Sequence, residues 1–243
     1  MILKLNAIDS TNAFMKRLIN EKSLDDYTVV VTAKQTEGRG QMGAIWQSEP
    51  FKNLIMSVFK RVPYLDVNKQ FFLSICVSIA VINTLKNFGI KDLYIKWPND
   101  ILSANKKICG ILIETVIKEG AMYSAIAGIG LNVNQVTFPG LPNATSMNKL
   151  TERVFDIDMI LHELLKQLKY SGGMLESENS RKELKAIYLQ YLFRLNKPST
   201  FEDNSGKRFM GLIKGVDDTG KLIILLEDDT SKAYDIKEIK LLY

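Results

Sequence analysis

The sequence predicts an α+β fold, a mixed sheet flanked by helices over residues 1–195 followed by a small all-β module over 196–243. Three observations predict it. Runs rich in β-branched and apolar residues, such as YTVVVTA at 27–33 and NLIMSVFK at 53–60, alternate in the first part with segments of helical periodicity. Composition changes near Asn196-Lys197-Pro198. Beyond it, short β-like runs (RFMGLIKGV, KLIILLE, KAYDIKEIKLL) alternate with turn signals at Asn204 to Gly206, Asp218 to Gly220 and Asp228-Asp229. The length of 243 residues, with 46% hydrophobic and 24% charged residues, suits one or two domains and a sizeable core.

Asp9, Ser10 and Thr11 form an N-cap cluster in front of NAFMKRLIN, which opens a first helix. The strand at 27–33 leads into a glycine-bearing loop, QTEGRGQMGAIW at 35–46, and NLIMSVFK returns as a second strand. Phe71, Ile75, Ile79, Ile82 and Leu85 recur at helical spacing, so a buried amphipathic helix is expected over about 68–88, stopping near Gly89. The apolar part of that helix is too short to span a bilayer and carries Ser74, Ser78, Asn83 and Thr84.

LYIKWPNDI reads as one strand running into a Pro-Asn-Asp turn, and KICGILIETVI as a buried strand after a polar hairpin loop. MYSAIAGIGLNVN gives another strand, expected to end at the Gly128-Ile129-Gly130 break. Two helices follow, over 156–170 and about 180–194. A module of roughly 45–50 residues at the C-terminus would need to lean on the larger domain for stability.

Several function classes are disfavoured. The net charge of +5 is modest and its lysines are scattered, which suits anionic small molecules or acidic partners and points only weakly to nucleic acid. Cys76 and Cys109 lie in apolar runs and suggest no disulfide framework, so a reducing cytoplasm is the default. The opening MILKLNAIDSTN lacks the pattern of a secretory signal, and no membrane association is expected. His162, the single histidine, sits among Ile160, Leu161, Leu164 and Leu165 and reads as structural. Cys/His metal spacing is absent, and a Ser-His-Asp triad would have to use that one side chain.

Three separated segments put polar groups beside glycine. In QTEGRGQMG the glycines permit close backbone approach to a ligand, and Arg39 can pair with a phosphate or carboxylate; a mobile connector explains the loop equally well. In YIKWPNDILSANKKICG, Asn99 and Asp100 offer an amide and a carboxylate at a strand end. Lys107 enters an apolar strand where it can be held against an anion, while Lys106 should point the other way. In AGIGLNV, Gly128 and Gly130 leave side-chain room and Asn132 adds an amide, although packing explains this segment as well.

Taken together these segments resemble the biotin–protein ligase family, in its monofunctional form without an N-terminal DNA-binding domain. The resemblance rests on Ser10-Thr11-Asn12, the GRG loop from Gln35 to Trp46, KWPND at Lys96 to Asp100, Lys107 with Gly110, GIGLNVN at Gly128 to Asn134 and PNATSM at 142–147. It covers about residues 8–147 in the family's order, and KWPND with the trailing lysine and glycine is its most specific part.

The resemblance implies a synthetase-like catalytic domain with a C-terminal SH3-like β-barrel, using ATP and Mg²⁺. It implies activation of biotin as biotinyl-5′-AMP and transfer to a lysine of a carboxylase's biotin carboxyl carrier domain. Ser10, Thr11, Asn12, Gln35, Gly38, Gly40, Gln41 and Gly110 would then belong to the biotin site, with Gly128 and Gly130 leaving room for its rings. Arg39 would hold the carboxylate and α-phosphate, and Lys107 would be the main catalytic cation. Trp46, Asn99 and Asn132 would serve the adenine end, and Asp100 would organise Mg²⁺ or the incoming lysine.

Two departures stand out. Gln41, Met42 and Ala44 follow Arg39 where some members are more basic, and the first motif begins at Ser10, so sequence-specific DNA binding is not expected. A homodimer through an exposed strand edge stays open. The alternatives are a lipoate–protein ligase and a non-catalytic biotin- or nucleotide-binding module.

Overall fold

A computed structural model describes every residue from Met1 to Tyr243. Its larger sheet has seven strands in the order β1-β2-β3-β7-β6-β5-β4: Ile2–Ile8, Val29–Gln35, Leu54–Arg61, Ala121–Leu131, Lys106–Lys118, Asp100–Ser103 and Leu93–Lys96. Only the β1–β2 pair is parallel, so the sheet is mixed, as expected. A second sheet is wholly antiparallel, in the order β11-β10-β9-β8-β12: Ser231–Tyr234, Leu222–Leu226, Arg208–Val216, Pro198–Asp203 and Ile239–Leu242. This is the small SH3-like unit.

Helices are segregated by the two faces of the larger sheet. Helix α1 (Thr11–Glu21) covers one face, where Met15 and Leu18 pack with Val30, Phe59 and Ile126. Helices α2 (Phe71–Asn87), α4 (Ile157–Gly173) and α5 (Glu178–Tyr191) cover the other; a short α3 spans Met147–Thr151. Residues next to each other on a strand point to opposite faces. Hence Val29, Val58 and Ala125 join the α2 core, whereas Val30, Phe59 and Ile126 join the α1 side.

Three sequence expectations need correction, and one strand is new. Helix α2 is not amphipathic: Cys76, Ser78 and Thr84 are as buried as its apolar stripe, because the sheet lies on one side and α4 and α5 on the other. The GIG glycines do not end a strand. Gly128 pairs with both Ser57 and Leu112, and Gly130 with both Ile55 and Gly110, so ladders on either side carry β7 through to Leu131. LYIKWPNDI is two strands, β4 and β5, paired across the turn with Lys96 opposite Asp100. Finally, ILKLNAI is an edge strand, β1, whose pairing with β2 is set by a distant partner.

The small sheet leans on the large domain as its size requires. Phe201, Ile213, Leu222, Ile224 and Ile239 belong to the same continuous core as α2. Trp97 Nε1 donates to the Gly220 carbonyl at 2.8 Å, and a Cβ on Gly220 would stand 2.4 Å from Phe71. Removing the sheet would uncover Phe71, a side chain whose loss alone typically costs about 3–5 kcal/mol.

Candidate active site

On the α1 face, a cavity of about 560 Å³ opens between the two sheets. Its walls come from the start of α1, the glycine loop, the start of β3, the β4–β5 turn, the first half of β6, the end of β7 and the small sheet. Of the residues singled out from sequence, Ser10, Thr11, Asn12, Gln35, Arg39, Gly40, Gln41, Trp46, Asn99, Asp100, Lys107, Gly110, Gly128 and Gly130 all line it. Gly38 and Asn132 do not.

One end of the cavity is polar and tightly fixed. Ser10 caps α1, accepting from Ala13 N at 3.5 Å. Gln35 Oε1 accepts from the Thr11 backbone N–H at 2.8 Å and lies 3.2 Å from Thr11 Oγ1, which leaves its Nε2 without a protein acceptor. Asn12 donates through Nδ2 to Glu114 at 2.7 Å and accepts at Oδ1 from the Ser57 hydroxyl at 2.5 Å.

The floor is glycine. Gly110, Gly128 and Gly130 lie on one face of β6 and β7, with Gly110 opposite Gly130. A Cβ on Gly128 would come within 2.5 Å of Asn12 Oδ1, and one on Gly130 within 2.4 Å of the Trp46 ring. These glycines therefore make room for the protein's own Asn12 and Trp46. Trp46 Nε1 is buried with no acceptor. An unpaired buried donor of this kind is destabilising until something accepts from it.

The charged end collects lysines. Lys107 Nζ sits 2.6 Å from Asp100 Oδ1 and 5.6 Å from the centre of the Trp46 ring. The Asp100 contact is close but poorly directed, so it is an ion pair that leaves this buried oxygen without an aligned hydrogen bond. Lys96 and Lys240 also line the cavity. Burial holds the Lys96 ammonium below the usual lysine range; Asp100 opposes the shift, and the charges of Lys107 and Lys240 add to it. Lys96 belongs to KWPND yet went unassigned in the sequence, where its alternation with Asp100 was the available signal. Lys240, on a β-run with no motif, left none.

Arg39 is 70% exposed and 3.5 Å from Glu37. Such a solvated pair is worth about 0–1 kcal/mol, too little to hold Arg39 away from an anionic ligand. The loop behind it is tightly turned: Gly40 N donates to Ala44 O at 2.7 Å and Trp46 N to Gly38 O at 3.0 Å. Gly38 has a structural reason to be glycine, since a Cβ there would meet the Trp46 carbonyl at 2.4 Å.

Asn132 also acts inside the fold. Its side chain is 4% exposed and donates to the Thr145 carbonyl at 2.9 Å, so it does not face the cavity where an adenine contact was expected. It latches the 142–147 segment, whose backbone in turn clamps Lys107: Lys107 N donates to Asn143 O at 2.7 Å, and Thr145 N to Lys107 O at 2.8 Å. Asn99 Nδ2 is held by the Ile111 carbonyl at 2.8 Å, leaving its Oδ1 as the available end. His162 is exposed on α4 and bonds the Asp158 carbonyl at 2.7 Å. Burial raises the pKa of both thiols, Cys76 to about 11, which removes them as nucleophiles near neutral pH.

The chain as a whole is similar to known proteins. Residues 5–132 fit the model of the biotin/lipoate A/B protein ligase family. The bifunctional ligase/repressor BirA of Bacillus spizizenii is 31% identical over 235 residues, covering 94% of this chain and 70% of that protein. The biotin–[acetyl-CoA-carboxylase] ligase of Mycobacterium tuberculosis is 28% identical, covering 88% and 79%. Among solved structures, the Aquifex aeolicus biotin protein ligase in complex with biotin and ATP superposes with a TM-score of 0.82 at 26% identity, over 99% of this chain and 98% of that one. With a family match over more than half its length and a relative of that identity along nearly all of it, the chain belongs to the biotin/lipoate A/B protein ligase family.

Proposed function

We propose that this protein is an ATP-dependent biotin–protein ligase, which makes biotinyl-5′-AMP and passes the biotinyl group to a lysine of a biotin carboxyl carrier domain. The observation that carries the reading is one cavity with a fixed donor–acceptor end at Thr11, Asn12 and Gln35 and a lysine end at Lys107, Lys96 and Lys240. A cyclic urea suits the first end and a polyphosphate the second.

In the first step a carboxylate oxygen of biotin attacks the α-phosphorus of ATP and pyrophosphate leaves. Both partners are anions, so catalysis consists mainly of positioning and charge stabilisation. Lys107, clamped through its backbone, meets the charge growing on the α-phosphate. Arg39 leaves Glu37 and pairs with the carboxylate–phosphate junction as the loop closes. Trp46 Nε1 gains an acceptor, and the covered cavity keeps water from the mixed anhydride. In the second step the neutral amine of the carrier lysine attacks the anhydride carbonyl, the bond to AMP breaks, and the amine proton is lost as the amide forms.

Asp100 and the ATP phosphates fit a Mg²⁺ held largely by substrate oxygens, since magnesium is usually bound by one or two carboxylates plus phosphates. When bound, the ion would neutralise phosphate charge. Biotin and lipoate belong to one family of ligases, and the head group decides between them. Thr11 and Gln35 would be left unpaired by an apolar dithiolane, so lipoate is disfavoured. Isotope exchange between ATP and pyrophosphate tests this: biotin drives it and lipoate does not. Exchange driven by lipoate alone would overturn the assignment.

A further inference from the structure

Asn12 does not hold itself in place. Behind the cavity wall runs a polar relay from Lys16 through Glu114, Asn12 and Ser57 to Thr11 and Gln35. Lys16 Nζ donates to Glu114 Oε1 at 2.6 Å, and Asn12 Nδ2 donates to Glu114 Oε2 at 2.7 Å. Ser57 donates to Asn12 Oδ1 at 2.5 Å, and its oxygen lies 2.7 Å from Thr11 Oγ1. The row beneath is set by the sheet, because Leu112, Gly128 and Ser57 are cross-strand partners and Asn12 lies over the glycine between them.

We infer that Glu114 is a positioning residue which, by fixing the Asn12 amide, sets the direction of hydrogen bonding in the head-group end and so selects a cyclic urea. The inference rests on the biotin reading above. An ionised carboxylate only accepts, so both of its neighbours must donate. Lys16 can do nothing else, and Asn12 must turn its NH₂ toward Glu114 and its carbonyl toward Ser57. The Ser57 proton is thereby committed to Asn12, and Ser57 accepts from the Thr11 hydroxyl. Thr11 Oγ1 then keeps a lone pair for a ligand N–H, while Gln35 Nε2, turned outward by the Thr11 backbone, offers a donor to a ligand C=O. A urea ring carries that complement. Glu114 itself is not on the cavity surface, so it acts only through Asn12.

Substitution by glutamine separates this role from a structural one. In Glu114→Gln one amide oxygen replaces two carboxylate oxygens; turning it to the Lys16 ammonium, the stronger donor, leaves the new NH₂ facing Asn12 and flips that amide. Lys16→Met removes that donor, letting the glutamine oxygen turn back to Asn12. The intact protein is measured by pyrophosphate exchange with biotin and ATP varied separately. The expected result for Glu114→Gln is a rise in KM for biotin of roughly tenfold or more, with KM for ATP and kcat within about twofold of wild type. Lys16→Met alone stays near wild type, and the double variant recovers most of the loss. An unchanged KM for biotin in Glu114→Gln, a parallel loss in both substrates, or no recovery in the double variant would overturn the inference. Should Glu114→Gln fail to fold, Glu114→Asp, which keeps the acceptor, must retain biotin preference. Wild type inactive with biotin would instead sink the functional reading itself.

Discussion

Lys107 is constrained at every level of its side chain and backbone. Asn143 and Thr145 clamp its peptide groups, and its ammonium lies between Asp100 and the Trp46 ring. A cation so fixed acts on charge that appears only in the transition state. Lys107→Ala should therefore lower kcat by about 10²–10³-fold, with a much smaller change in biotin affinity measured by calorimetry. Lys106→Ala, at an exposed position on the opposite face, should stay close to wild type. Equal kcat for wild type and Lys107→Ala would refute the role. Strand alternation separates these two lysines in the sequence, and the apolar run after Lys107 together with the resemblance selects Lys107. The duty of Asn132 is not legible there, because its partner lies on the 142–147 segment and only the fold brings Thr145 to it. Lys96 gains meaning in the same way, once β12 delivers Lys240 beside it.

Among the elements, the glycine loop and β7 depend on each other. The loop can be read in sequence as a ligand-closing segment, but its contact with the glycine floor cannot, since that floor lies more than 60 positions from Arg39 in the chain. Gly130→Ala tests the contact, because the new methyl would stand 2.4 Å from the Trp46 ring and must expel it. The expected outcome is a red-shifted Trp46 emission with greater acrylamide quenching. Trp97, which lines the same cavity but is held by the Gly220 carbonyl, supplies the background, measured separately in a Trp46→Phe variant. An emission spectrum identical to wild type would contradict the packing. The misread strand end has the same origin: isolated glycines look like a break until both flanking ladders are known, and helix α2 looks amphipathic until the third layer covers its polar side. Edge strand β1 is not legible in the sequence, because its short alternating run gains a partner only through a parallel crossover.

For the whole molecule, the two sheets make one core and one cavity. The β character of the tail and its dependence on the larger domain followed from composition and size. Its share of the cavity wall, through Lys237, Lys240 and Asn204, did not, because no tail residue forms a motif. The small sheet is thus part of the site as well as a prop for Phe71. On the function proposed above, this cavity joins biotin to a carrier lysine by way of an adenylate. The most direct measurement is mass spectrometry of a biotin carboxyl carrier domain incubated with the intact protein, biotin, ATP and Mg²⁺. A single biotinyl addition on one lysine is expected, dependent on ATP and strongly slowed by Lys107→Ala. No biotinylated carrier under these conditions, or modification at the same rate by the Lys107→Ala protein, would contradict it.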